Sequence, residues 1–138
     1  MSETQHRQYS DSFLCHAMTP QNLGVLPHPD GRSASTGTCG DSMELTLRVD
    51  DGVIVECLFM PEGCIHTLAC GSAVTEMAKG IKLSEALKIG PEEIIEVLEG
   101  LPSEYHHCAE LAAQAMRTAV KDCLSRGPDD WKRLYRKP

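Results

Sequence analysis

Cys39 and Asp41 stand two positions apart in the stretch TGTCGDSMEL, residues 36–45, among small flexible residues and just ahead of an apolar run. A thiol and a carboxylate on one turn can both bind metal, the first as a soft donor and the second as a hard one. The chain has seven cysteines, and they divide by position. Cys15, Cys57, Cys70 and Cys123 fall inside apolar elements, where a free cysteine behaves as a small hydrophobe, whereas Cys39, Cys64 and Cys108 fall at the starts of elements. Boundaries between elements are where functional side chains concentrate. Cys108 lies in the first turns of a long helical segment, where the helix dipole and unpaired N–H groups favour the thiolate. His107 beside it adds a nitrogen donor. The set Cys39, Asp41, Cys64 and Cys108, with His107 as an alternate fourth ligand, matches what zinc or an iron–sulfur cluster accepts. No Cys-x-x-Cys or His-x3-His pair points to a zinc finger. The competing reading of the same residues is a tight turn with an incidental thiol, and two solvated histidines, His106 and His107, at a helix start.

Several elements must bring these residues together. MELTLRV alternates, with Met43, Leu45, Leu47 and Val49 on one face and Glu44, Thr46 and Arg48 on the other, which predicts a half-buried strand. DDG at 50–52 signals a hairpin turn. In VIVECLFM, Val53, Val55, Cys57 and Phe59 share one face and Ile54, Glu56, Leu58 and Met60 the other, so the two strands should pair antiparallel, with Cys57 as core packing. Pro61 and Gly63 stop the second strand, and Cys64 leads into a helix over 65–79 that ends at Gly80. Small residues in that helix, Ala69, Cys70, Gly71, Ser72 and Ala73, predict close packing on the sheet. Cys70 is placed away from a ligand at Cys64, because a helix turns about 100° per residue. Ser84 reads as the cap of a short helix, and PEEIIEVLEG as another that begins at Pro91 and ends at Gly100. The longest helix spans 103–126, with Ala112, Met116, Ala119, Val120 and Cys123 at helical spacing, closed by Gly127 and Pro128. YSDSFLCHAM reads as one more helix, with Phe13, Leu14 and Ala17 inward. Residues 19–41 read as a long loop rich in Pro, Gly, Ser and Thr, of a length that is uncommon unless functional.

The chain's 138 residues fit one domain, 1–138, with a core at about 9–124 and a tail at 125–138. In the tail, Trp131, Leu134 and Tyr135 form a packed terminal helix or a docking patch. Twenty acids against 13 bases give a formal charge of −7, with basic residues clustered only in the terminal WKRLYRKP, so nucleic acid is not an expected partner. Nothing approaches the roughly 18 consecutive apolar residues of a membrane span, and the polar MSETQHRQYS is no signal peptide. A cytoplasmic, reducing setting is expected, with thiols used for packing, metal or sulfur chemistry rather than disulfides.

CGDSMEL, GCIHTLACGSAVTEMAKG and HCAELAAQAM resemble the three cysteine motifs of the NifU/IscU-type iron–sulfur cluster assembly scaffolds, in the same order and at similar separations. YSDSFLCHAMTPQNLGVL is similar to that family's first helix and Asn-Pro-x-Asn-x-Gly turn, with Thr19 in place of the Asn before Pro20. The resemblance implies an α+β fold, a small antiparallel β-sheet packed by several α-helices, with Cys39, Cys64 and Cys108 converging at one exposed tip. It implies a scaffold rather than an enzyme. A cysteine desulfurase delivers sulfur as persulfide, iron is added, and a transient [2Fe-2S] cluster forms and passes to acceptor apo-proteins or carrier proteins. A homodimer is compatible with this role, and zinc can occupy such a site in purified protein.

Cys108 matches the family's third cysteine and is the implied persulfide acceptor, with His107 beside it as proton donor or alternate ligand. Asp41 replaces a fourth thiolate by a weaker, harder donor, which suits a cluster that must leave. Two departures qualify the resemblance. LPSEY, residues 101–105, stands where Leu-Pro-Pro-Val-Lys precedes the third motif, so recognition by the dedicated chaperone is not expected. Tyr105 stands where a lysine is usual, and Glu104 and Glu110 make the surroundings more negative. The alternative is the zinc-bound sulfur-transfer branch of SufU type, in which the same residues hold zinc and Cys64 or Cys108 relays persulfide. That branch carries an insertion between the second and third motifs which this chain lacks. A catalytic zinc is disfavoured, since three thiolates and a carboxylate leave no open position.

Overall fold

A computed structural model of the chain describes residues 9–126. Ser10 opens the first helix, α1 (Asp11–Met18), its hydroxyl accepting from the Phe13 N–H at 2.9 Å. Phe13 and Ala17 are buried as their spacing predicts, Leu14 is partly so, and His16 joins them, its Nδ1 2.7 Å from the Ser72 hydroxyl. Cys15, on the opposite face, is exposed rather than part of the apolar interior.

Three strands follow in the order β1 (Gly31–Thr36), β2 (Ser42–Asp50) and β3 (Val53–Glu62), antiparallel throughout. β1 corrects the expected loop over 19–41. GRSAST carries no large apolar residue, but Gly31, Ser33 and Ser35 alternate inward because the strand lies close under the last helix. Ser33 Oγ donates to Ala115 O at 2.8 Å, and a Cβ on Gly31 would run into Ala119 O and come within 2.8 Å of Cys123 Cβ. The expected β2–β3 hairpin is present, with Asp51 and Gly52 both at positive φ, 53° and 78°, as a type I′ turn requires.

The phase of β3 departs from its sequence pattern. Val49 pairs with Ile54 and Arg48 with Glu56, so the register shifts at Val55. This bulge turns Ile54 inward and leaves Val55 41% exposed, so Val53 and Val55 do not share the buried face of Cys57 and Phe59. β3 also runs on through Pro61, which an edge strand tolerates.

The remaining helices are α2 (Ile65–Ala78), α3 (Leu83–Ala86), α4 (Pro91–Val97) and α5 (His106–Arg126), the last entered through a 3-10 turn at Ser103–Tyr105. Lys82, not Ser84, is the N-cap of α3, because the buried Leu83 must already be helical; the Glu85 carboxylate accepts from the Lys82 N–H at 3.3 Å. α2 packs on β3 so closely that a Cβ on Gly71 would overlap the Phe59 ring, and α5 lies across β1 and β2. Ala112, Met116, Ala119 and Val120 are buried on α5 as expected, while Cys123 is half-buried. The result is an α+β fold in which helices cover one sheet around Phe13, Leu45, Leu47, Ile54, Phe59 and Met116. No helix among the described residues is long and apolar enough to cross a membrane. Gly127, Pro128, Trp131, Leu134 and Tyr135 lie outside the described residues.

Candidate metal centre

Three connections meet at one end of the fold. The first is the β1–β2 turn, residues 37–41, closed by Gly37 N–H donating to Asp41 O at 2.7 Å and Gly40 N–H donating to Gly37 O at 3.1 Å. Gly40, at φ +90°, supplies the left-handed residue that brings the chain back from Cys39 to Asp41. Cys39 is exposed on this turn. The second is the passage from β3 to α2, where Cys64 is the N-cap of the helix and its N–H donates to Asp41 Oδ2 at 3.4 Å. Gly63 must lack a side chain, since a Cβ there would sit 2.5 Å from Asp41 Oδ2. The third is the first turn of α5, which carries Cys108.

One carboxylate oxygen of Asp41, Cys64 Sγ and Cys108 Sγ lie within 4.8 Å of one another. These three are part of the expected set of Cys39, Asp41, Cys64 and Cys108 with His107 as alternate ligand. Cys39 sits on the same turn, but its sulfur is outside that set. His107, half-buried beside the Tyr105 ring at 6.3 Å between centroids, is also outside it. Cys70 is wholly buried in α2, and burial pushes its thiol up, followed by the nearby Cys108 and Cys64.

The electrostatics divide the ligands. A hydrogen bond from Thr67, with further ones from the Cys64 N–H and the Cys64 and Cys39 thiols, holds the Asp41 carboxyl below the usual carboxylate range against partial desolvation. Cys108 behaves oppositely to the expectation from its helix start. Its sulfur is fully buried, and loss of water pushes the thiol up to about 12, with the Thr67 hydroxyl opposing and Cys64 and Asp41 adding to the rise. A cation at the centre would supply the missing positive charge and release that proton.

Two residues of the site gave no signal in the sequence reading, His66 and Thr67. Both are buried polar residues in the first turn of α2, and buried polar groups call for a partner. The His66 ring stacks on Tyr105 with centroids 3.5 Å apart and planes within 7°. Its Nε2 lies 2.8 Å from the Tyr9 hydroxyl and its Nδ1 3.4 Å from Cys64 Sγ. Burial lowers the His66 imidazole, with Glu104 pulling the other way, so the ring is neutral. In either neutral tautomer one ring nitrogen donates and the other accepts, so the ring links Tyr9 to Cys64. Thr67 donates to Asp41 Oδ2 at 2.5 Å, and its hydroxyl oxygen also lies 3.4 Å from Cys108 Sγ and 3.8 Å from Cys64 Sγ.

Two sulfurs and a carboxylate in reach of one point, with a third thiol on the adjoining turn, form a donor set that suits tetrahedral zinc or a small iron–sulfur cluster. All seven cysteines are free thiols.

Comparison with known proteins agrees. Residues 8–128 match the family profile described as the NifU-like N terminal domain. The iron–sulfur cluster assembly scaffold protein IscU 1 of Archaeoglobus fulgidus is 40% identical over 115 residues, covering 83% of this chain and 75% of that protein. The IscU scaffold protein of Haemophilus influenzae is 38% identical over 122 residues, covering 83% of this chain and 94% of that protein. Among solved structures, a NifU-like N-terminal protein from Brucella abortus superimposes with a TM-score of 0.73 at 15% identity, over 89% of this chain and 99% of that one, a likeness of fold. With a family match across all of the described residues, the chain belongs to the NifU-like N-terminal domain family.

Proposed function

We propose that this chain is a scaffold on which an iron–sulfur cluster, [2Fe-2S] by default, is assembled and from which it is handed to acceptor apo-proteins or carriers. The observation that carries the reading is the meeting of the Asp41 carboxylate, Cys64 Sγ and Cys108 Sγ within 4.8 Å at one end of the fold. The cluster is cargo, not a resident cofactor. Cys39, Cys64 and Cys108 hold it, and Asp41 supplies the fourth, harder donor. Sulfur arrives as persulfide from a cysteine desulfurase. Exposure of Cys39 and Cys64 supports delivery from a partner protein, and a carboxylate among the gathered donors supports release.

The scaffold names of the relatives support a carrier rather than a turnover enzyme. The same donor set also suits zinc, which is the basis of the alternative, a zinc-bound persulfide relay. Transfer separates the two. Protein loaded anaerobically with iron and sulfide is mixed with an apo-ferredoxin, and the ferredoxin's circular dichroism is followed. The scaffold reading expects the acceptor's spectrum to appear as the donor's fades, in the presence of a chelator that traps free iron. A loaded protein that yields its iron only to the chelator overturns it.

A further inference from the structure

Thr67 is the one side chain that touches all three members of the candidate centre. Its hydroxyl is fully buried, 2.5 Å from Asp41 Oδ2, 3.4 Å from Cys108 Sγ and 3.8 Å from Cys64 Sγ. A hydroxyl has one proton to donate. An ionised carboxylate only accepts, and at this distance it takes that proton in a charge-assisted bond. The oxygen that takes this bond, Oδ2, is also the one 3.6 Å from Cys64 Sγ, and it keeps a further lone pair for a metal. Asp41 needs such a fastening. It stands at the end of a turn whose crest is exposed, and Gly63 opposite it offers no side chain to lean on. The Cys64 N–H, at 3.4 Å, is a longer contact with the same oxygen. Thr67 sits on the first turn of α2, three residues after Cys64, so it ties Asp41 to the helix whose N-cap is a sulfur ligand.

We infer that Thr67 is the positioning residue of the metal centre, holding Asp41 at the two sulfurs so that the donor set is collected before metal arrives. It touches the ligands and not the cargo. The inference rests on the reading of Asp41, Cys64 and Cys108 as a metal site, and makes this threonine a determinant of how tightly the site binds. Outer partners of metal ligands typically change metal affinity by about 10- to 100-fold when removed.

The test uses Co(II) titration of the metal-free full chain under reducing conditions, read by sulfur-to-cobalt charge-transfer absorption. Thr67→Val keeps the shape and removes the hydroxyl; Thr67→Ala does so without risk of overpacking; Thr67→Ser restores the hydroxyl. Val and Ala variants should bind about 10- to 100-fold more weakly with unchanged absorption per bound ion, and Ser should bind as the parent does. In an Asp41→Ala background, Thr67→Ala should have no further effect, because the hydroxyl acts through the carboxylate. Parent-like affinity in Thr67→Ala, or an equal loss with and without Asp41, overturns the role of Thr67 and leaves the metal site standing. A parent protein that shows no sulfur-to-cobalt band overturns the site, and the role of Thr67 with it.

Discussion

Asp41, the carboxylate of the site, is fastened by hydrogen bonds from Thr67 and the Cys64 N–H, yet in the proposed scaffold it is the weak donor. Thr67, the Cys64 N–H and two thiols keep it ionised and aimed at the sulfurs. Against iron, a carboxylate remains a harder and less tenacious donor than a thiolate. Asp41→Cys should therefore lengthen the lifetime of the loaded cluster several-fold against a chelator, measured by loss of visible absorption; a shorter lifetime would contradict the role given to the carboxylate. The glycine facing it is equally specific. Gly63→Ala places a methyl group 2.5 Å from Asp41 Oδ2 and should weaken Co(II) binding about tenfold with little change in far-ultraviolet circular dichroism. At this scale the cysteines and Asp41 were legible, because thiols at element starts are conspicuous. His66 and Thr67 were not, since their role depends on a helix being buried just where they stand. The burial of Cys108 was hidden for the same reason: helix position can be read from sequence, whereas the wall of side chains that removes water from its sulfur cannot.

Among the elements, β2, β3 and the long helix followed from periodicity, and their turns from Asp51-Gly52 and Gly100. β1 did not. A strand of Gly, Ser and Ala is read as loop by composition, and only its burial under α5 makes small residues the right ones. The bulge at Val55 was equally hidden, because it changes the phase of β3 without changing its residue types. Packing of β1 on α5 is testable. Gly31→Ala must move the strand away from Ala119 and Cys123 and should cost about 1–3 kcal/mol in a urea titration. An unchanged midpoint would show that the contact has slack. The movement also matters to the centre, since β1 leads directly into the turn of Cys39 and Asp41.

Across the whole molecule, the fold gathers ligands from three separate connections while burying Cys57 and Cys70 as filler. Burial pushes both of these thiols up, with Lys79 opposing at Cys57 and the nearby cysteines adding to the rise at Cys70. A thiol whose folded pKa is raised contributes stability that is full below its unfolded value, near about 8.5, and is lost as pH rises beyond it. The metal-free protein in reductant should accordingly lose stability from about pH 8.5 upward, by as much as about 1.4 kcal/mol per pH unit for each such thiol. Cys57→Ala should make that slope shallower while lowering stability at pH 7; a flat profile in the parent would mean that these thiols are wet. The overall order of elements was readable because hydrophobic periods and breakers repeat along the chain. Periodicity alone did not bring the three connections to one place; the resemblance implied it, and the packing shows Asp41, Cys64 and Cys108 meeting there.

The most direct test of the central claim is the anaerobic visible absorption spectrum of the purified chain after incubation with ferrous iron, cysteine and a catalytic amount of cysteine desulfurase. Sulfur-to-iron charge-transfer bands should develop in the parent and fail in Cys39→Ser, Cys64→Ser and Cys108→Ser, while Cys57→Ala and Cys15→Ser develop them normally. Persulfide accumulating on the protein with no such bands would contradict a cluster scaffold and leave a sulfur relay in its place.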